Sequence, residues 1–227
     1  MEAEAPQSHT LKRLNLVSVA ACTGGETGSQ EGTSMGEESA RPVSAGKSAI
    51  VAELNDLEFE SNLKIAGGNR MLIHYRITNR GSKPYLVFNR LPGQLDSSDV
   101  TPDQNAVFIE PQSDGSVEIS KRAYALPDGP AVNTPYIPGA SELLPGASIN
   151  EQMEVKLPLR RRRPYMSVVP APQMPDSLRT VRFCVGVAQA DPSTTKAFGS
   201  GKDRALYPQY SVVLKQRLLC GPVVTLE

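Results

Sequence analysis

Apolar and polar residues alternate along most of the chain after about residue 50, and an alternation of period two predicts half-buried β-strands. The pattern is clearest in LEFESNLKI (57–65), MLIHYRITN (71–79) and INEQMEVKLPL (149–159), where most second positions are apolar. Further strands are predicted at residues 84–90, 105–111, 116–123 and 180–188, with two more within 208–226. An amphipathic helical pattern of ten residues occurs nowhere in this part of the sequence.

Turn-forming residues separate the predicted strands. NRGSKP (79–84) joins two of them, and QSDGS (112–116), with its Asp-Gly pair, predicts a hairpin. Two longer stretches, 124–147 and 190–207, are rich in proline, glycine, serine and aspartate and are predicted as loops. About nine short strands separated in this way predict an all-β fold, an antiparallel immunoglobulin-like β-sandwich with long loops.

Two segments carry a resemblance to a known group of domains. MLIHYRITNRGSKPYLVFNRLPG (71–93) resembles the hairpin of bacterial immunoglobulin-like domains, a group that includes proteinase inhibitors of the BsuPI type. LPGASINEQMEVKLPL (144–159) is similar to the proline-glycine turn and edge strand that such domains often carry. The resemblance covers a small part of the chain, and it implies an immunoglobulin-like fold.

The N-terminal part of the sequence resembles the start of a bacterial lipoprotein. A basic pair, Lys12 and Arg13, precedes a short apolar stretch (14–21), and VAAC then places Cys22 where the lipobox pattern has its lipidated cysteine. Thr23, rather than an aspartate, follows this cysteine, as in the outer-membrane sorting pattern of enterobacterial lipoproteins. The resemblance implies cleavage before Cys22, a lipid anchor on it, and a location on the outer membrane facing the periplasm.

The residues that follow the cysteine predict a flexible tether. Glycine, serine, threonine and glutamate dominate residues 23–47, and such a composition buries too little apolar surface to offset the entropy of ordering. The predicted organisation is a signal-like leader (1–21), a disordered tether that starts with the anchored cysteine (22–47), and a β-sandwich domain (48–227). The alternative is an ordinary disordered tail that contains one incidental cysteine.

The other two cysteines raise the question of a disulfide. If Cys22 carries lipid, Cys184 and Cys220 are free to pair in an oxidising compartment. Their positions in the strand pattern disagree, because Cys184 lies opposite the apolar face of its strand whereas Cys220 shares parity with Leu214 and Leu218. A bulge near Leu218 would reconcile them, and the alternative is two buried, reduced thiols.

Composition and charge narrow the possible partners. The 24 lysines and arginines balance 24 aspartates and glutamates, so no net field attracts nucleic acid. No stretch reaches the roughly 20 apolar residues that a membrane-spanning helix requires. The sequence therefore predicts a membrane contact through the lipid anchor and not through a spanning helix.

Candidate chemistry is sparse. The GKS triplet (46–48) lacks the first glycine of a phosphate-binding loop, because Arg41 stands in its place. His74, the one histidine in the predicted domain, falls on the polar face of a strand, and no cysteine or histidine pair has the spacing of a metal site. The sequence therefore predicts no catalytic residue, no cofactor-binding residue and no metal ligand.

Four consecutive arginines, Arg160, Arg161, Arg162 and Arg163, follow a predicted strand. Guanidinium groups at such a place can bind anionic lipid head groups or phosphates near a membrane surface. The alternative is a solvated strand exit whose charge is balanced by acidic residues elsewhere.

These features together predict a non-catalytic lipoprotein of the cell envelope that acts as a loop-based binding or inhibitor module, with a protein partner in the envelope. One alternative is a structural or accessory envelope protein that works through a sheet face or edge. A second alternative is a hydrolase that uses surface carboxylates, since any two acidic side chains can meet in space.

Overall fold

The computed structural model describes residues 55–67, 69–95, 101–128, 134–170 and 172–226, which form a β-sandwich. The predicted leader, Cys22, the tether and the GKS triplet lie outside the described residues. The strands are β1 (Leu57–Ala66), β2 (Arg70–Asn79), β3 (Tyr85–Arg90), β4 (Phe108–Pro111), β5 (Val117–Lys121), β6 (Gly139–Leu143), β7 (Ser148–Lys156), β8 (Thr180–Gln189), β9 (Thr195–Phe198), β10 (Ala205–Pro208), β11 (Arg217–Cys220) and β12 (Val224–Thr225). A helical turn, α1 (Tyr210–Val213), and two 3₁₀ turns, Pro192–Thr194 and Gly201–Asp203, complete the described elements.

The strands form a small and a large sheet. The small sheet has the order β1-β2-β7 and is antiparallel throughout. The large sheet has the order β4-β5-β8-β3-β6-β10-β9, and β11 and β12 also pair with β8. The pairing of β5 with β8 is parallel, whereas the other pairings of the large sheet are antiparallel. The predicted all-β sandwich is therefore confirmed, with a mixed large sheet.

The main core lies between the two sheets, where the alternating strands place their apolar side chains. At its centre are three aromatic rings, Phe59 on β1, Tyr75 on β2 and Phe183 on β8, each no more than 1% exposed. The rings of Tyr75 and Phe183 are 5.1 Å apart between centroids, and the rings of Phe59 and Tyr75 are 6.2 Å apart. Burial of each such ring stabilises the fold by about 1.5–3 kcal/mol.

A second apolar cluster covers part of the outer face of the large sheet. Phe88 on β3 and Ala188 on β8 pack there against Leu206 on β10 and against Val212 and Val213 on α1. The helical turn α1 therefore covers this part of the outer face of the large sheet.

Two predicted loops contain strands. The stretch 124–147 contains β6, and 190–207 contains β9 and β10, so both loop predictions were wrong over these residues. Each of these strands has only four or five residues, too few for the alternation of apolar and polar positions to show. Within 208–226 the helical turn α1 also replaces part of a predicted strand.

The two predicted turns differ in outcome. The Asp114–Gly115 turn joins β4 to β5 as a hairpin, and Gly115 adopts the positive φ of 81° that favours glycine. The NRGSKP turn instead leads from β2 in the small sheet to β3 in the large sheet, so it is not a hairpin. The Asn79 side chain fixes this crossover, because its amide donates to the carbonyls of Lys83 (2.8 Å) and Leu143 (3.1 Å).

Candidate functional site

Strand β5 carries charged side chains on both of its faces. Lys121 points into the space between the sheets, whereas Glu118 lies on the outer face of the large sheet. Each side chain belongs to a separate ionic group. We call the inner group the buried cluster (Lys121, Glu151, Asn89 and Tyr75) and the outer group the outer cleft (Glu110, Glu118, Arg122, Arg163, Arg182 and Tyr124).

The buried cluster is organised around an amine without solvent contact. The Lys121 side chain is fully buried, and Glu151 on β7 is 12% exposed. Lys121 Nζ lies 3.2 Å from Glu151 Oε2, 2.9 Å from the carbonyl oxygen of Gln104 and 3.4 Å from that of Asn89. Three acceptors thus surround a group that has three N–H bonds when charged.

Glu151 connects the amine to two other buried side chains. The Tyr75 hydroxyl donates to Glu151 Oε2 over 2.6 Å, and Asn89 Nδ2 donates to Glu151 Oε1 over 2.7 Å. The oxygen of the same Asn89 amide accepts the backbone N–H of Ser141 at 3.1 Å. One carboxylate therefore contacts an amine, a phenol and a primary amide in a place that is nearly free of water.

The environment shifts the protonation of this cluster. Burial lowers the pKa of Lys121, and the neighbouring Glu151 opposes that shift. Burial, reinforced by Glu151, raises the pKa of Tyr75 well above its ordinary value. The site thus disfavours the charged ammonium and keeps the phenol neutral as a hydrogen-bond donor.

The outer cleft begins with two carboxylates that face each other. Glu110 on β4 lies directly opposite Glu118 on β5, and like charges in that position destabilise a sheet. Arg122 Nη2 lies 3.2 Å from Glu110 and 3.5 Å from Glu118, so one guanidinium bridges both. Arg182 on β8 adds a contact of 3.0 Å to Glu118, and Arg163 pairs with Glu110. Three arginines against two glutamates leave one net positive charge.

An aromatic ring and a loop complete the outer cleft. The Tyr124 hydroxyl donates to Glu110 over 3.2 Å, and the guanidinium carbons of Arg122 and Arg163 lie 4.4 and 4.9 Å from the centre of its ring. The cleft has a volume of about 590 Å³, and Arg163 and Pro172 of the loop after β7 form one of its walls. Its mouth therefore combines sheet side chains with loop side chains.

The four consecutive arginines lie in that loop. Arg161 donates to the carbonyl of Val169 (3.1 Å), and Arg162 donates to those of Val107 (2.6 Å) and Pro92 (2.8 Å). Arg163 contacts Glu110, whereas Arg160 is exposed. Arg162 and Arg163 thus hold the loop against the domain, Arg161 links two parts of the loop itself, and the contact of Arg160–Arg163 with an anionic surface stays a prediction.

The structure joins Cys184 and Cys220 in a disulfide, the pairing that the sequence left open. The two residues are register partners on β8 and β11, with their Cα atoms 4.1 Å apart. Leu219 is fully buried in the core, whereas Leu218 lies on the other face, so the predicted parity conflict was wrong and no bulge is needed. The sulfurs lie beside the Glu118 carboxylate, at the base of the outer cleft.

His74 is exposed on β2, as its position in the sequence pattern predicted, and its Nε2 lies 2.6 Å from Asn150 Oδ1.

A second cavity, of about 490 Å³, lies beside the end of β8, with Asp191, Lys215 and Arg217 among its lining residues. In the described part of the chain there is no helix that is long and apolar enough to cross a membrane.

Sequence reasoning missed the buried cluster, although a signal for it exists. Lys121 shares the inward parity of Val117 and Ile119, and Glu151 shares that of Ile149 and Met153. A polar residue at an inward position of a strand must find a partner in the core. Lys121 and Glu151, the polar residues at inward positions, were therefore the signal for the buried cluster. The outer cleft depends on strand pairings that the sequence does not indicate.

No protein-family model matches the chain, and no curated protein or solved structure shows significant similarity to it.

Proposed function

We propose that this protein is a non-catalytic, lipid-anchored binding module of a bacterial cell envelope, and that its outer cleft binds an acidic group of a protein partner. Cys22 is the anchor in this proposal, and residues 23–47 are the tether that lets the domain reach its partner.

The observation that carries the binding role is the composition of the outer cleft. Three guanidinium groups and one tyrosine converge on an open surface with a net positive charge, and a loop supplies part of the wall. The Arg182 side chain is 33% exposed, which leaves it accessible to an incoming carboxylate. Binding residues on loops that a rigid sheet positions are a common arrangement in proteins.

A pull-down from envelope extracts tests the binding role with one matched pair of variants. Arg182→Ala removes the most exposed guanidinium of the outer cleft, whereas Arg80→Ala removes a still more exposed arginine from a surface pair with Glu58 outside the cleft. We expect Arg182→Ala to lose a partner that the parent protein and Arg80→Ala retain, and added salt to release it. Equal capture by all three proteins would contradict the cleft as the binding site and favour a sheet face or edge.

The anchor has a separate test. Protein extracted from membranes of the native host should start at Cys22 and carry the added mass of its lipid. A water-soluble product that keeps residues 1–21 would contradict the anchor, whatever the pull-down shows.

One observation favours the hydrolase as a second candidate. Glu110 and Glu118 contact the same nitrogen of Arg122, at 3.2 and 3.5 Å, so the two carboxylates lie closer together than the upper limit of roughly 10 Å for glycoside hydrolysis. Both carboxylates are held by arginines, which leaves neither of them free to receive a substrate proton. A measured turnover that Glu118→Gln abolishes and Arg80→Ala preserves would establish the hydrolase and contradict the non-catalytic role.

A further inference from the structure

We propose that the buried cluster is the site of an intramolecular isopeptide bond between the side chains of Lys121 and Asn89, formed within the folded domain with Glu151 as the proton carrier. This modification is independent of the proposed binding function.

The nucleophile is the amine of Lys121. Its side chain is fully buried, and its Nζ lies 3.4 Å from the main-chain carbonyl oxygen of Asn89, the residue whose side chain carries the electrophile. An amine attacks only in its neutral form, and an environment without water disfavours the ammonium. Glu151 Oε2, at 3.2 Å, is placed to take the proton that the ammonium must lose.

The electrophile is the side-chain amide of Asn89, which is 2% exposed. Its oxygen accepts the backbone N–H of Ser141 at 3.1 Å, and such a donor stabilises the negative charge that develops on an attacked carbonyl. Since Asn89 Oδ1 and Nδ2 are both hydrogen-bonded, the amide plane is fixed. The carbonyl carbon is therefore held in one orientation, and its amide and the Lys121 amine contact the same Glu151 carboxylate.

Glu151 links the two reacting groups. Its Oε2 contacts the attacking nitrogen and its Oε1 lies 2.7 Å from Asn89 Nδ2, the nitrogen that leaves. The Tyr75 hydroxyl donates to Oε2 over 2.6 Å and so fixes the carboxyl group. A single side chain can thus act first as a base toward the amine and then as an acid toward the leaving group.

The reaction balances without a further reagent. Glu151 takes a proton from the ammonium, and the neutral Nζ forms a bond to Asn89 Cγ. The tetrahedral intermediate collapses when Glu151 protonates Nδ2, the Cγ–Nδ2 bond breaks and ammonia departs. The attacking nitrogen Nζ still carries one proton more than an amide nitrogen, and this proton passes to the Glu151 carboxylate. One C–N bond thus replaces another, and no atom changes its oxidation state.

Without such a bond, the buried cluster would stabilise the core poorly for the volume that it fills. A buried ion pair seldom stabilises a fold more than apolar residues of the same volume do. Lys121, Asn89 and Glu151 come from three strands, β5, β3 and β7, in both sheets. A covalent bond between β3 and β5 would lock the large sheet across β8, which separates them.

The intact mass of the purified, disulfide-reduced protein tests the proposal. We expect the parent protein to be lighter than its sequence by one ammonia, about 17 Da. Lys121→Arg and Glu151→Gln should each have the full mass of their sequences. Glu118→Gln and Arg182→Ala, which alter only the outer cleft, should keep the mass deficit.

The full sequence mass in the folded parent protein would overturn the proposal, and this result needs no variant to fold. A deficit that persists in Lys121→Arg would also overturn it, because ammonia would then have left from another site. A deficit that persists in Glu151→Gln would overturn the role of Glu151 as proton carrier.

Discussion

The buried cluster and the outer cleft are built from the same kinds of side chain on the same strand, and they differ mainly in the exposure of their cations. Lys121 and Glu118 are three residues apart on β5 and point to opposite faces of the large sheet. Lys121 meets one carboxylate in a place that is nearly dry. Glu118 meets two arginines that are 20% and 33% exposed.

This comparison shows how burial decides what an ion pair can do. A buried charge destabilises the fold unless it is fully paired, because it has lost its hydration. The same loss of hydration favours the neutral, reactive form of an amine. At the outer cleft the guanidinium groups of Arg122 and Arg182 reach solvent and can meet a ligand, while the Glu118 carboxylate that they hold is only 3% exposed. We therefore assign covalent chemistry to the inner face of β5 and recognition to its outer face.

The largest expected effect is on stability, from removal of the buried carboxylate. Glu151→Ala should prevent the proposed bond and leave the buried Lys121 amine without its carboxylate partner, so we expect the free energy of unfolding to fall by at least about 3–5 kcal/mol. Glu154→Ala, on the same strand, breaks a pair with Arg70 whose side chains are 39% and 50% exposed, and should cost about 1 kcal/mol or less. Urea unfolding of both variants measures the difference, and equal losses would contradict the contrast between buried and open pairs.

The next effect concerns the disulfide at the base of the outer cleft. Cys184 and Cys220 are 36 residues apart, and opening a loop of this size should cost about 2–4 kcal/mol. The midpoint of urea unfolding should therefore fall when a reductant is added to the parent protein. In a Cys184→Ser, Cys220→Ser double variant the reductant should leave the midpoint unchanged. A midpoint that the reductant does not change in the parent protein would show that the disulfide is not formed.

Alkaline pH should act on the buried cluster. Because the pKa of Tyr75 is raised in the folded state, the unfolded chain releases this proton near pH 10 while the folded chain keeps it. Stability should therefore fall as pH rises above about 10, with Tyr75 contributing about 1.4 kcal/mol per pH unit. Tyr75→Phe should reduce the slope of stability against pH by that amount, and identical slopes would contradict the burial of a neutral phenol.

The smallest expected effect on stability comes from the outer cleft. Arg182→Ala should lower the free energy of unfolding by about 1 kcal/mol, because Arg182 is partly solvated and the buried Glu118 carboxylate retains Arg122. Urea unfolding again gives the value. A loss close to that of Glu151→Ala would mean that the arginines of the outer cleft are structural, which would weaken the proposed binding role.

Much of the fold followed from the alternation of apolar residues. β1, β2 and β7 each have nine or ten residues, which is long enough for the period of two to be clear. β9 and β10 have four residues each, and their packing against other parts of the chain decides their structure. The parallel pairing of β5 with β8 leaves no sign in either strand, since alternation shows which face is buried and not which strand is adjacent.

The buried cluster and the outer cleft also differ in how far the sequence predicts them. The buried cluster was predictable in outline, because Lys121 and Glu151 interrupt apolar faces of strands. That these two residues meet each other depends on the contact between the sheets, which no local pattern encodes. The outer cleft was not predictable, because acidic and basic residues at outward positions are what any solvated strand shows.

The most direct test of the contrast between the two faces of β5 is a tryptic peptide map of the denatured, reduced protein. Trypsin does not cut after an acylated lysine, so the isopeptide bond predicts one branched species that joins residues 81–90 to residues 91–122. Fragment masses should place the branch at Asn89 and Lys121. Arg163 and Arg182 of the outer cleft should appear in ordinary linear peptides, because they lie outside residues 81–122. Separate linear peptides 81–90 and 91–121, ending in a free Lys121, would contradict the account.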